Sequence, residues 1–266
     1  MTILAPPRVI LFDWHATLVD TADAMYHAVD DMLRGLKDLG LLDRLQTPED
    51  CKTEDDARLV RYVREHRRLH PKIIAERKIS RTDIFEVLFG PDDEAKNIAH
   101  EEFNDCYRRH FGEIRPFEEG IDHMLIQLHA MGIKLGVITN RNREFLEQEI
   151  QYIHLSGWPR LFDVMVCGDD VSRRKPAPDL IYKALEELGV DPDPRIWYVG
   201  DSTTDTITAK AAGVISVFYN GASWEKSWLE KIFPGNERYP HKPDAVVNDF
   251  REFYRLVEKS WKGGGD

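Results

Sequence analysis

Six short runs rich in branched and aromatic apolar residues recur along the chain, at Val9–Phe12, Leu135–Ile138, Val164–Val166, Ile196–Val199, Ile215–Phe218 and Ala245–Val247. Amphipathic segments such as Leu180–Leu188 separate most of them. Strands that are apolar throughout are buried on both faces, and intervening helices supply the cover, so this alternation predicts an α/β fold with a parallel, doubly wound sheet. One crossover helix needs about a dozen residues, yet more than a hundred separate the first two runs. Residues 22 to about 113 read as helical almost throughout, so an inserted helical domain accounts for the gap. The expected division is residues 1–20 with 115–266 as the core and 21–114 as the insertion, with linkers near Val19–Ala22 and Ile114–Glu119.

Composition narrows the class. The chain of 266 residues, 42% hydrophobic, is long enough for a proper core. Its longest apolar stretches, such as Ile133–Thr139, are far too short to span a bilayer, and residues 1–8 lack a basic start followed by a long apolar region. The expectation is a soluble, cytoplasmic protein with no membrane partner. A formal charge of −11 argues against nucleic acid as a partner, because polyanion binding rests on neutralising phosphates. Cys51, Cys106 and Cys167 form no CxxC pair, which argues against a disulfide framework and a structural zinc site. There is no internal repeat, and residues 262–266 read as a frayed tail.

Chemistry-bearing residues collect where runs end. Asp13 follows the first run, and Asp201 follows the fourth within Gly200-Asp201-Ser202-Thr203-Thr204-Asp205. Adjacent parallel strands would bring both carboxylates to one sheet edge. A carboxylate can attack phosphorus only if its charge and that of the phosphate are neutralised together, which a shared Mg²⁺ achieves. The bland alternative for Asp201 and Asp205 is an N-cap and a first-turn acid on a helix Thr203–Ala212. Thr139-Asn140 closes the second run before a helix starting near Arg143, placing a hydroxyl and backbone N–H groups where phosphate can be held; the alternative is a strand-end residue or helix cap. Lys175 lies in Ser172-Arg-Arg-Lys-Pro-Ala-Pro178, where Pro176 and Pro178 would fix its direction.

Taken in order, Val9–Asp20, Thr139-Asn140, Lys175-Pro-Ala-Pro178 and Gly200–Asp205 resemble the motif set of the haloacid dehalogenase-like hydrolases. The resemblance covers the core and implies a Rossmann-like sheet with a helical cap that closes over the site and selects the substrate. It also implies an aspartyl-phosphate enzyme: Asp13 as nucleophile and Mg²⁺ ligand, the backbone carbonyl of His15 as a ligand, Asp201 as a ligand, and Asp205 supporting through water or Lys175. Thr139 and Asn140 would bind phosphate, and Lys175 would neutralise it and Asp13. The expected activity is Mg²⁺-dependent hydrolysis of a small phosphorylated metabolite.

One residue departs from the pattern. The phosphatases of that family usually carry a second Asp two positions after the nucleophile, as general acid and base, and this chain has His15. Histidine can move a proton near neutral pH, so the first reading keeps a phosphatase with His15 in that role. Phosphonoacetaldehyde hydrolases are a second reading, since their first motif resembles Asp-Trp-Ala-Gly-Thr and this chain has Asp13-Trp-His-Ala-Thr17; they need a cap lysine, for which Lys52, Lys72 and Lys78 are present without a motif. A phosphate-binding or regulatory protein with poor turnover is a third. Carbon–halogen cleavage is disfavoured, because haloacid dehalogenases lose the metal pattern that Asp201 and Asp205 preserve.

The insertion carries a basic run from Arg58 to Arg81, read as a solvated amphipathic face, with the sharper option that one or two cations meet an anionic substrate group. His66 and His70 are four apart but lack a third zinc ligand. Arg141 is as compatible with solvent as with phosphate, Arg173 and Arg174 read as surface, and Trp224 and Trp228 read first as packing residues. The assembly is expected to be a monomer or a homodimer.

Overall fold

A computed structural model describes residues 4–77, 79–153, 158–237 and 239–263. Lys78 and the 264–266 part of the tail lie outside the described residues. The chain divides into two compact units, residues 1–20 with 115–266 and residues 21–114.

The first unit is built on a six-stranded sheet whose strands are β1 (Val9–Phe12), β2 (Lys134–Ile138), β3 (Val164–Val166), β4 (Ile196–Gly200), β5 (Ile215–Tyr219) and β6 (Ala245–Val247). Their order is β3-β2-β1-β4-β5-β6, and every pairing is parallel. The chain winds outward through β2 and β3, then returns to the other side of β1 at β4. That reversal creates a switch point at the carboxyl ends of β1 and β4, the place where open α/β sheets hold ligands. Phe12 is in register with Val137 of β2 and Val199 of β4, so residues just past all three strands share one edge.

All four residues of β1 are buried. On one face, Val9 and Leu11 join a cluster with Leu180, Ile181, Ala184 and Leu185. On the other, the Phe12 ring meets Phe250 and Phe253 at centroid distances of 6.5 and 5.8 Å. Alternation along the strand thus feeds two helical layers. Helix Asp179–Leu188 repeats apolar residues one turn apart and ends at Gly189, whose φ of 66° suits a residue without Cβ. Each fully buried Leu or Ile on it contributes roughly 1.5–3 kcal/mol, so Ile181→Asp would open this layer.

The second unit is helical, with helices at Ala22–Arg34, Glu54–His66, Pro71–Glu76, Arg81–Phe89 and Asp93–Tyr107. Thr53, Ser80 and Asp92 accept backbone N–H groups three residues on, which fixes three helix starts. Phe85, Phe89, Phe103 and Tyr107 are fully buried. The basic run is engaged locally: Arg58 pairs with Glu54 and Asp55, Arg64 donates to the carbonyls of Leu45 and Gln46, and Arg77 pairs with Asp23. His66 and His70 both pack on the Tyr62 ring, at 4.2 and 4.6 Å. Trp224 and Trp228, in the first unit, meet edge to face at 6.0 Å and keep partial exposure. None of the described helices is long and apolar enough to cross a membrane.

Candidate active site

Asp13 is the first residue past β1, and its N–H continues the ladder by donating to the Val199 carbonyl at 2.8 Å. The turn that follows is tight: Ala16 donates to the Val19 carbonyl, and Leu18 and Val19 both donate to that of Trp14. Ala16 takes φ of 56°, a left-handed conformation uncommon for a residue with a Cβ. Past β4, Gly200 carries no side chain, and a Cβ there would sit 2.5 Å from the Asp205 carboxyl carbon. The glycine lets that carboxylate approach the strand end.

Ser202 is the N-cap of helix Thr203–Ala212, and Asp205 reaches back to the Ser202 N–H in a capping box. The cap is therefore Ser202, the residue immediately before the helix, and Asp201 stands one position outside. Asp205 serves two purposes: Oδ2 closes the cap, while Oδ1 accepts from Lys175 Nζ at 2.7 Å and from the Tyr198 hydroxyl at 2.8 Å. Lys175 Nζ also donates to Asp13 Oδ1 at 2.7 Å and to the Tyr198 oxygen at 2.9 Å. The loop carrying Lys175 is clamped by Asn140, whose Oδ1 accepts the Lys175 N–H at 2.9 Å and whose Nδ2 donates to the Lys175 carbonyl at 3.1 Å.

Carboxylate oxygens of Asp13, Asp201 and Asp205 lie within 4.8 Å of one another. Burial, offset in part by Lys175 and reinforced by Asp205, pushes the Asp13 carboxyl up to about 6. Burial and the Asp205 and Asp13 charges push Asp201 well above the carboxylate range. Burial also acts on Asp205, but Lys175 and the hydrogen bonds from Lys175, Ser202 and Tyr198 outweigh it and hold this group low. Burial opposes charge on Lys175, and the Asp13 and Asp205 carboxylates overcome it. The ammonium pairs with two of the three carboxyl groups, and a cluster of hard oxygen donors with one cation among them suits a divalent cation such as Mg²⁺.

Thr139 follows β2, fully buried, with its N–H donated to the Val166 carbonyl and its hydroxyl accepting the Arg141 N–H at 3.1 Å. It stands on the same sheet edge as Asp13. The His15 imidazole extends toward Glu149, with Nε2 3.5 Å from Oε2. Arg141 is also on Glu149, at 3.2 Å, and Arg173 pairs with Asp179. The fold therefore gathers Asp13, Lys175, Asp201 and Asp205, sets Thr139 on the shared edge, and gives Asn140 to the Lys175 backbone. Sequence reading missed Tyr198, which sits inside an apolar strand run, and Glu149, one of three glutamates in helix Arg143–Tyr152.

Comparison with known proteins agrees on the class. Residues 10–219 match the family described as haloacid dehalogenase-like hydrolase. A phosphoglycolate phosphatase from Salmonella typhimurium is 30% identical over 256 residues, covering 92% of this chain and 90% of the relative. A crystal structure of a HAD-superfamily hydrolase of subfamily IA from Geobacter sulfurreducens superimposes with a TM-score of 0.58 at 19% identity, covering 94% of this chain and 96% of that one. CbbY from Rhodobacter sphaeroides, crystallised with xylulose 1,5-bisphosphate, gives a TM-score of 0.56 at 22% identity and covers 92% and 96% respectively. These two structures share the fold.

Proposed function

The chain belongs to the haloacid dehalogenase-like hydrolase family, and we propose that within it the protein is a Mg²⁺-dependent phosphatase of a small phosphorylated metabolite, working through an aspartyl-phosphate on Asp13. The observation that carries this reading is the Lys175 ammonium held 2.7 Å from both Asp13 and Asp205. A nucleophilic carboxylate beside a fixed cation is equipped to meet a dianionic phosphate, where an isolated one would be repelled.

In the first step an Asp13 oxygen bonds to phosphorus as the bond from phosphorus to the ester oxygen breaks, and that leaving oxygen takes a proton from the His15 imidazolium. In the second, a water oxygen bonds to phosphorus, its proton passes to the neutral imidazole, and the bond from phosphorus to the Asp13 oxygen breaks to return carboxylate and inorganic phosphate. Lys175 cancels charge on Asp13 and the phosphate throughout. The Thr139 hydroxyl holds a phosphate oxygen, and Asn140 acts through the Lys175 loop it clamps. Asp13 and Asp201, with the His15 carbonyl and with Asp205 behind, would hold Mg²⁺, which supplies the positive charge that lets carboxylate and phosphate approach. Residues 21–114 serve as the cap that selects the substrate and excludes water.

Phosphoglycolate, the substrate named for the Salmonella relative, leads the panel that tests this reading. Phosphate release is measured from phosphomonoesters and from phosphonoacetaldehyde, with and without Mg²⁺, for the natural protein and Asp13→Asn. Monoester hydrolysis that requires both Mg²⁺ and Asp13 is the expected result. Cleavage of phosphonoacetaldehyde alone would establish C–P hydrolysis instead, and no turnover of any compound would leave a binding protein.

A further inference from the structure

Glu149 is fully buried on helix Arg143–Tyr152, on the face that also buries Phe145, Leu146 and Ile150. An apolar residue would complete that face, and a carboxylate without partners there would cost several kcal/mol. Its partners come from two turns at the sheet edge. Oε2 accepts the Trp14 indole N–H at 2.7 Å and lies 3.5 Å from His15 Nε2, while Oε1 faces the Arg141 guanidinium at 3.2 and 3.3 Å. Trp14 is itself fully buried, its ring edge to face with Trp158 at 6.0 Å. Arg141 in turn gives its backbone N–H to the Thr139 hydroxyl.

From this geometry we propose that Glu149 is a positioning residue for His15, and that it ties the turn after Asp13 to the turn after Thr139. The role rests on the phosphatase reading in which His15 moves the proton. An imidazole in place of the family's shorter carboxylate has a broad second torsion and needs an external group to set its ring plane. A buried carboxylate 3.5 Å from Nε2 supplies that. Trp14 and Arg141 hold the carboxylate still, as outer groups hold the ligands of a reactive centre. The identity of residue 15 is thereby linked to a residue 134 positions away on another element, a pairing the motif itself does not contain.

Glu149→Gln keeps the shape and one acceptor oxygen, which can serve Trp14 or Arg141 but not both, and removes the charge facing His15. The expected result is a kcat lower by on the order of 10- to 100-fold with KM changed by less than about twofold, and no further loss when the same substitution is made in His15→Ala. Equal losses in both backgrounds would overturn the proposal, because a structural role acts whether or not His15 is present. The second readout needs no turnover: nitrogen NMR of histidine-labelled protein should show the His15 ring signals moved by Glu149→Gln, and unmoved signals would overturn the proposal. If the natural protein hydrolyses no phosphomonoester, the phosphatase reading fails by itself, while the ring signals still decide whether Glu149 sets His15. Should the single substitution unfold the protein by leaving Arg141 uncompensated, Glu149→Gln/Arg141→Gln removes both charges together and is read the same way.

Discussion

Lys175 and Asp13, 162 residues apart in the chain, meet at 2.7 Å, and the same ammonium reaches Asp205 at 2.7 Å. Asn140 grips both polar atoms of the Lys175 backbone, and the Tyr198 hydroxyl supports its tip. The lysine is thus held at the nucleophile by groups from β4 and from the end of β2.

Lys175→Met removes the cation and leaves the carboxylates. Activity in steady-state assays should fall on the order of 10²- to 10³-fold, the scale of losing one fixed electrostatic partner of a reacting group. In Mg²⁺-free buffer the variant should also be less stable by about 3 kcal/mol, since the buried charges of Asp13 and Asp205 lose their partner. Unchanged kcat would remove Lys175 from the reaction.

Asp201→Asn should move stability in opposite directions with and without metal. Burial and the neighbouring carboxylates oppose the Asp201 charge, so neutralising it should raise the melting temperature of metal-free protein. Mg²⁺ at about a hundred times its Kd should stabilise the natural protein by roughly 2.7 kcal/mol, and the variant far less at the same concentration. Melting curves with EDTA and with Mg²⁺ check both signs; equal Mg²⁺ stabilisation of the two proteins would contradict the assignment.

Ala16 holds φ at 56° in the turn that carries His15. A left-handed conformation costs an alanine about 1–2 kcal/mol, and glycine, free of that strain, gives back part of the gain as unfolded-chain entropy. Ala16→Gly should therefore stabilise the protein by about 0.5–1 kcal/mol in urea unfolding. A destabilised variant would show that the methyl group packs favourably enough to offset the strain.

His100 packs its ring on Phe85 at 4.8 Å, and its Nδ1 is buried with no hydrogen-bond partner among the described residues. Burial, with the Arg81 charge, lowers its pKa from 6.5 to about 4. Between those values the unfolded chain binds the proton and the folded chain does not, so the stabilising effect is complete above pH 6.5 and is lost as pH falls toward 4. With allowance for solvent screening, the natural protein should lose about 1–2 kcal/mol more than His100→Leu between pH 7 and pH 5 in urea unfolding. A histidine NMR titration with a midpoint near 6.5 would remove the basis for this.

Strand and helix limits were legible because their signals are local. The runs at Val9–Phe12, Val164–Val166 and Ala245–Val247 are strands over those same residues, and the neighbouring runs extend by one residue at an end. Ser202 shows where local reading falters. Asp201 and Ser202 are both good caps by type, and the choice depends on which residue turns its backbone out of the helix. Asn140 stands where the sequence puts it, after a strand. Its side-chain amide meets the Lys175 backbone, a partner that sequence spacing does not bring near.

By itself the sequence determined the α/β class and the set of polar residues at strand ends, because apolar period, turn chemistry and motif spacing are written within a few neighbours of each residue. Only the tertiary structure decided what those side chains face. Tyr198 lies within an apolar strand and Glu149 among other acids on an amphipathic helix, and their roles arise from strand order and helix packing that bring Asp205 to one and Trp14, His15 and Arg141 to the other. Such pairings depend on desolvation and on distances between residues remote in the chain, and burial is what turns an ordinary glutamate into one that must be paired.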